Sequence, residues 1–228
     1  MWSLVSPRLR RTPQRTPRRT PRRTSRRVLT VLTVVGLLVS AGGITSAASA
    51  SAGKSLTVKY KVTGSTVIKS VNANVALGPG KLTATVNLTT AKLTADLSLP
   101  SATITFKEFG IVPVTATANL VQDGKTTGQL NVNTGAVTTQ SKIILQLTSL
   151  FISGLAIPVP KTCQSATPAQ VDLASLKGFS VVKGGNLAGT YTIPPVANCG
   201  ELTALLNVIF PGPGNTIQLK LGAAKVVS

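Results

Sequence analysis

Apolar and polar residues alternate along several short runs of this chain. The clearest runs cover residues 82–88, 93–99, 102–106, 112–120, 143–147 and 217–221. In the run 93–99, for example, leucine and alanine at the odd positions are separated by Thr94, Asp96 and Ser98. Because a strand projects alternate side chains to opposite faces, each run predicts a strand with one apolar face and one polar, threonine-rich face. Such strands are typical of antiparallel sheets that bury one face and leave the other in water.

Turn-forming residues separate these runs. Gly78-Pro79-Gly80 precedes the first run, and Pro100 and the pairs at 123–124 and 134–135 lie between later runs. Glycine, proline and aspartate are typical of turns. Strands spaced this closely indicate hairpins. The sequence therefore predicts an all-β fold, mainly antiparallel, arranged as a sandwich or as an open barrel.

The C-terminal third differs and predicts one short helix. Its apolar residues fall on one helical face: Leu202, Leu205, Leu206 and Ile209. Asn198, with Glu201 three residues later, matches an N-terminal capping pair. Pro211 ends the helical segment, and the last strand follows. We expect this helix to pack against the sheet.

The first 52 residues have a different composition from the rest. All ten arginines precede residue 28, and the apolar segment 28–40 and a stretch of small residues follow them. This order is the pattern of a cleaved signal peptide; an uncleaved membrane anchor is the alternative, and the export route, Sec or twin-arginine, stays open. We expect residues 1–52 to form a basic leader and signal peptide. Residues 53–228 would then form a single secreted, β-rich domain, extracellular or associated with the cell envelope.

Removal of the leader lowers the charge of the chain. The full sequence has a formal net charge of +19, whereas residues 53–228 carry fourteen lysines against five acids, a net charge of +9. A moderate positive charge favours anionic surfaces, such as lipid headgroups or an anionic envelope polymer. The lysines are dispersed and are not interleaved with aromatic residues, so we expect no nucleic-acid partner.

The two cysteines, Cys163 and Cys199, predict a disulfide, because an even number of cysteines in an exported chain is typical of one. Two buried free thiols are the alternative. The bridge would tie the start of the predicted helix to the loop that precedes Cys163. Two cysteines without histidine leave the usual tetrahedral ligand set incomplete, so we expect neither a metal nor another cofactor.

The catalytic residue types are scarce. The chain has no histidine, which excludes the Ser-His-Asp and Cys-His arrangements. The five acids lie on separate segments, and residues 53–228 lack the tryptophan that often stacks on sugars, so a carboxylate pair for glycoside hydrolysis is disfavoured. The sequence favours a protein that is not an enzyme and predicts no catalytic residue.

Several segments resemble one known family. They are LGPG at 77–80, the run 93–100, IPVP at 157–160 ahead of Cys163, YTIPP at 191–195, NCG at 198–200 and PGPGNT at 211–216. These segments are similar to a family of uncharacterised secreted proteins of high-GC Gram-positive bacteria (actinobacteria). The resemblance covers most of residues 53–228 and is most specific around Cys199 and Asn215. It implies secretion and a bacterial source, and it brings no functional residue with it.

Two functional hypotheses follow. In the first, the protein is a non-enzymatic cell-envelope protein, a surface or structural interaction module that contacts an anionic envelope polymer or another protein through its Thr/Lys faces. In the second, it is a binding protein for an apolar, lipid-like ligand in a β-lined cavity, since many inward side chains are Ala or Val and leave space. The candidate mouth of that cavity is formed by Leu150, Phe151, Ile152 and Leu155.

Overall fold

Strands account for most of the described chain, as the alternating runs predict. The computed structural model describes residues 54–227, all of which belong to one compact unit. The predicted leader and signal peptide, residues 1–52, lie outside the described residues. Each alternating run overlaps a strand, and further strands form between the runs.

Fourteen strands and one helix make up the described chain. In order they are β1 (Ser55–Ile68), β2 (Ala73–Asn87), β3 (Lys92–Ser98), β4 (Ala102–Glu108), β5 (Val112–Gln122), β6 (Thr126–Leu130), β7 (Val137–Ile152), β8 (Leu155–Ile157), β9 (Gln164–Ser165), β10 (Ala169–Ser175), β11 (Gly185–Ile193), β12 (Val196–Ala197), α1 (Leu202–Ile209), β13 (Gly212–Leu221) and β14 (Lys225–Val227).

Eight of the strands close into a ring. Hydrogen-bonded neighbours follow the order β10-β11-β13-β1-β2-β3-β6-β7, and β7 pairs with β10 to complete the circle. All of these pairings are antiparallel. The predicted class, mainly antiparallel β with one short helix, is confirmed. The sequence left the closure undecided, because it depends on a pairing between β7 and β10 that no local pattern specifies.

Strand β7 is long enough to serve two groups of strands. Its first half pairs with β6 and β10 in the ring, and its second half, Ile143 to Ile152, pairs with β5. Strand β4 pairs with β5, and β8 pairs with the end of β7. These strands outside the ring cover the ends of β1 and β2, where Ile68 and Val75 share a core cluster with Phe106.

The ring encloses a second core cluster, built by the alternation of the strands. On β1, Val58, Tyr60 and Val62 are buried inside, whereas Lys59 and Lys61 face the solvent. Burial of a large apolar side chain contributes about 1.5–3 kcal/mol, so a slip of one residue, which would exchange the two faces, is strongly disfavoured.

The predicted disulfide is confirmed: Cys163 and Cys199 are joined at an S–S distance of 2.00 Å. The bridge ties the loop after β8 to the segment that leads into α1. Both cysteines are fully buried in the cluster outside the ring. Helix α1 is eight residues long, and the described residues contain no helix that is long and apolar enough to cross a membrane.

The predicted helix forms, but its predicted capping pair is wrong. Asn198 has a φ of 60°, and the side chain of Glu201 makes no capping hydrogen bond. Instead the hydroxyl of Thr203 accepts a hydrogen bond from the N–H of Cys199 at 3.2 Å and donates one to the carbonyl of Gly200 at 2.8 Å. The chain makes a tight turn before the helix, and Thr203 therefore binds the free backbone groups there.

The buried face of α1 is narrower than predicted. Leu206 is fully buried and Leu202 and Ile209 are partly buried, whereas Leu205 is 45% exposed. The helix packs against the cluster outside the ring and contributes one fully buried side chain, Leu206, to it.

Candidate functional site

The interior of the fold is apolar and lined by many small residues. Six alanines on five strands line cavities inside the fold: Ala84, Ala95, Ala102, Ala116, Ala118 and Ala169. Ala116 and Ala118 share β5, and the other four lie on β2, β3, β4 and β10. A closed ring of eight strands has an interior just wide enough for side chains to fill. Where several of these side chains are alanine, the methyl groups do not meet and space remains between them.

Three cavities lie in this interior. The barrel-end cavity, of about 70 Å³, is lined by Tyr60 and Phe179 among others. The central cavity, also about 70 Å³, is lined in part by Ala169. The helix-side cavity, of about 130 Å³, lies below α1 and is lined in part by Ala116 and Leu206.

These cavities form a row. The barrel-end and central cavities share Leu97 as a wall residue, the central and helix-side cavities share Leu77, and the two outer cavities share no residue. Along β1 the row extends from Tyr60 to Ile68, which is about 26 Å of strand at ~3.3 Å per residue. With the usual strand tilt of about 35–45°, this corresponds to roughly 20 Å along the axis of the ring.

A directed pair of hydrogen bonds lies where the central and helix-side cavities meet. The hydroxyl of Thr66 donates to the carbonyl of Thr216 at 2.8 Å, and a hydroxyl carries one proton, so Tyr191 must donate to Thr66 across their 2.8 Å contact. Burial raises the pKa of Tyr191 above its ordinary value of 10.0, against a smaller lowering by this hydrogen bond. Tyr191 is therefore neutral, and its oxygen keeps acceptor capacity beside the cavity walls.

A second polar group lies where the barrel-end and central cavities meet. The hydroxyls of Thr126 and Ser141, both buried, are 2.7 Å apart. The side-chain amide of Gln122 donates to Thr126 at 3.3 Å and to the carbonyl of Ala95 at 2.9 Å. Only one of the two hydroxyl protons is used in the Thr126–Ser141 contact, so one donor remains at the cavity wall.

Both ends of the row are covered by the chain. At the barrel end, the loop between β10 and β11 places Phe179 and Val181 against the cavity, and Tyr60 fixes this loop by donating to the carbonyl of Val181 at 2.6 Å. Burial raises the pKa of Tyr60 above 10.0. At the other end Leu206 and Phe210 line the helix-side cavity from α1 and the residue after it.

The four residues predicted to form a cavity mouth lie elsewhere. Leu150 is buried and Ile152 packs against the cluster outside the ring, whereas Phe151 and Leu155 are exposed. None of the four lines any of the three cavities. Thr148 has no partner in the pairing of β7 with β5, and this shift in register turns Leu150 inward, which the alternation of residues 143–147 does not predict.

The acidic residues are dispersed over the surface of the described chain. Asp96 faces the solvent and forms an ion pair with Lys125 at 2.7 Å, and Asp172 accepts a hydrogen bond from Gln170 at 3.1 Å. Within residues 54–227 no three His, Cys, Asp or Glu side chains gather as a metal site would require. The two cysteines are used in the disulfide.

Known proteins give no guide to this site. No family model matches the chain, and neither a curated protein nor a solved structure matches it.

The lining residues that sequence reasoning missed, above all Thr66, Tyr191 and Phe179, lie on strands or loops for which no alternating run was identified. The alternation of β11, where Leu187 and Ile193 are buried on either side of exposed residues, was the signal that could have placed Tyr191 beside the interior.

Proposed function

We propose that this protein binds an apolar, chain-like lipid in the row of cavities inside its β-ring. The observation that carries the proposal is the row itself: three adjoining spaces with nearly continuous apolar walls, kept open by alanine at six inward positions. An interior of this kind is a usual place for a hydrophobic ligand in a small β-ring.

The dimensions favour a narrow ligand. The helix-side cavity, of about 130 Å³, is close in size to the apolar cavities of about 150 Å³ that stay dry and bind benzene, so it accepts a slender group and excludes a bulky one. The hydrocarbon core of a bilayer is ~30 Å thick and is filled by two leaflets, so one acyl chain extends over about 15 Å. The row, at roughly 20 Å, accommodates that length.

The polar groups at the two junctions support a ligand that carries oxygen. Tyr191 offers an acceptor and the Thr126–Ser141 pair offers a donor. A buried donor or acceptor that a ligand satisfies adds specificity. A hydroxyl or carbonyl along an acyl chain would satisfy one or both of these groups.

The proposed ligand suits the proposed location. A disulfide between Cys163 and Cys199 is compatible with an extracellular protein, and residues 1–52 have the pattern of an export signal. We place the protein outside the cytoplasm, secreted or associated with the envelope, where lipids need a carrier to pass through water.

The test is to ask what the purified protein carries. The full chain is produced with its leader in an exporting bacterial host and purified from the medium without detergent. Native mass spectrometry is expected to show a mass above that of the processed polypeptide, and solvent extraction is expected to release an acyl lipid. After delipidation the protein is expected to take up cis-parinaric acid, a fluorescent fatty acid, with a rise in emission.

Two variants identify the site. Ala116→Leu fills about half of the helix-side cavity and is expected to reduce uptake of cis-parinaric acid, whereas Ala76→Leu, on the outward face of β2, is expected to leave it unchanged. A protein whose mass equals that of the bare polypeptide, and which takes up no fatty acid after folding is verified, would show the ligand proposal to be wrong.

A second candidate function is an interaction module for an anionic envelope polymer. A shallow groove of about 930 Å³ runs over the outer faces of β3, β6, β7, β10 and β11, with Lys92, Gln129, Gln140 and Thr190 among its lining residues. Such groups suit a polar polymer, and the net charge of +9 favours an anionic one. Retention on purified anionic wall polymer should then fall steeply as salt rises, and retention that is independent of salt would count against this function.

A further inference from the structure

Two hairpin loops lie side by side at one end of the molecule. The loop between β4 and β5 consists of Phe109, Gly110 and Ile111, and the loop between β7 and β8 consists of Ser153 and Gly154. The N–H of Ser153 donates to the carbonyl of Pro113 at 2.8 Å, which joins the two hairpins. We call the apolar side chains here the apolar tip; they are Phe109, Ile111, Phe151 and Leu155.

The apolar tip is unusually exposed. The side chains of Phe109, Ile111, Leu155 and Phe151 are 87%, 78%, 70% and 40% exposed. Further along the same strands the outward face is made of threonines that hydrogen-bond to one another across β4 and β5. The outward face of β4 and the paired part of β5 is therefore polar and becomes apolar at the loop, and contiguous exposed apolar groups mark interaction sites.

Folding gives no reason for phenylalanine at position 109. Its φ is 50°, a left-handed conformation that bulky residues rarely adopt and that asparagine or glycine adopts more readily. Its ring packs on little of its own chain. Both features cost stability in the isolated protein, and backbone conformations of this kind are often kept at functional positions.

The shape and charge of this end favour a lipid surface as the partner. Phe109 and Ile111 project from the loop between β4 and β5, and a fluid bilayer needs no complementary surface to receive them. Lys107 is next to the tip. Glu108 is adjacent to Lys107, so the attraction to anionic headgroups comes from the net charge of +9 over residues 53–228.

The first and last strands of the described chain begin and end, respectively, far from this tip. The first described residue, Lys54, bonds Leu88 at the other end of β1 and β2, and β14 pairs with the beginning of β1. Strand β7 runs the length of the molecule between the two ends: its sixteen residues span about 50 Å at ~3.3 Å per residue.

We propose that the apolar tip inserts into the surface of an anionic lipid membrane, with Phe109 and Ile111 as the leading side chains. Binding to an interface grows with the apolar area buried and with attraction to anionic lipid. The tip holds the protein with β7 directed away from the membrane. This docking does not depend on a ligand in the cavities.

The experiment is flotation of the exported, processed protein with vesicles of phosphatidylglycerol and phosphatidylcholine in equal parts, compared with vesicles of phosphatidylcholine alone. The protein is expected to float with the anionic vesicles and to bind the neutral ones at least about 10-fold more weakly. The double variant Phe109→Asn/Ile111→Thr is expected to bind the anionic vesicles about 10- to 100-fold more weakly than the wild type. Phe109→Asn alone should keep or raise the thermal midpoint, because asparagine suits the positive φ.

The matched control is Val132→Thr, which removes an apolar side chain that is 71% exposed in the loop between β6 and β7, at the far end of β7. It is expected to leave vesicle binding unchanged. Wild-type protein that does not float with anionic vesicles, a double variant that floats as well as the wild type, or an equal loss in Val132→Thr would each overturn the proposal. The double variant should still take up cis-parinaric acid, and Ala116→Leu should still float, so the docking and ligand proposals fail separately.

Discussion

Replacing Ala116 by leucine is the most informative single change in the cavity row. Ala116 is only 3% exposed and lines the helix-side cavity of about 130 Å³. Unfilled cavity volume costs about 24 cal/mol per Å³, which assigns the whole cavity roughly 3 kcal/mol. A leucine adds three carbon atoms and fills about half of this space, so Ala116→Leu should stabilise the unliganded protein by about 1.5 kcal/mol.

The assay is thermal and urea unfolding of the delipidated protein. For a domain of this size 1 kcal/mol shifts the thermal midpoint by about 2–4 °C, so the expected rise is about 3–6 °C. Ala76→Leu makes the same substitution on the outward face of β2 and should change stability by less than about 0.5 kcal/mol. In the same samples, Ala116→Leu should lower the uptake of cis-parinaric acid, whereas Ala76→Leu should not.

One result would refute the reasoning. A leucine forced into a filled interior destabilises by about 1–3 kcal/mol. A fall of that size in Ala116→Leu, with Ala76→Leu unaffected, would mean that the space below α1 cannot receive even three carbon atoms. The ligand proposal would then lose its largest cavity.

Three further predictions concern stability. Replacing both Cys163 and Cys199 by alanine should lower the free energy of unfolding by about 3–4 kcal/mol, because the bridge closes a loop with a sequence separation of 36; an unchanged urea midpoint would contradict this. Burial raises the pKa of Tyr60 and Tyr191 above 10.0, so the unfolded chain releases these protons at lower pH than the folded protein does. The free energy of unfolding should therefore fall as pH rises through 10.0. In Tyr60→Phe/Tyr191→Phe the urea midpoint should fall less steeply with pH than in the wild type, and an equal slope would contradict the assignment. Gly189→Ala should destabilise by about 1–3 kcal/mol, because its new methyl group would collide with a backbone carbonyl of β10; a thermal midpoint equal to that of the wild type would show that β10 and β11 can separate.

Alternation made much of the fold predictable, because each strand has a buried side and a wet side. The runs at 93–99 and 102–106 became β3 and β4 with the expected faces. Strand β1 carries the same signal, with Val58 and Val62 buried on either side of Lys59 and Lys61, and it was overlooked. The helix at 202–209 was recognised by its apolar face, but Leu205 is exposed because one helix at the edge of a core buries only a narrow stripe.

The closure and the cavities could not be read from the sequence. Closure depends on β7 meeting β10, and the energy of that contact is distributed over six residue pairs, none of which is distinctive alone. Small inward residues did predict internal space, and that space is present. Its position was missed, because the register of β7 against β5 shifts between Leu145 and Leu150. Leu145 lines two of the cavities and Leu150 lines none of the three, a difference that the alternation of residues 143–147 does not predict.

The shared use of β7 has a consequence for how the molecule comes apart. The first half of β7 is one strand of the closed ring, and its second half pairs with the strands that carry the apolar tip. Strands β1 and β2 likewise contribute side chains to both core clusters. Any division of the fold into two parts would break β1, β2 and β7, so neither part would keep a complete core. Heat or denaturant should therefore unfold the protein in one cooperative transition. A displacement at one end of β7 should be transmitted to the other end, because the strand is continuous.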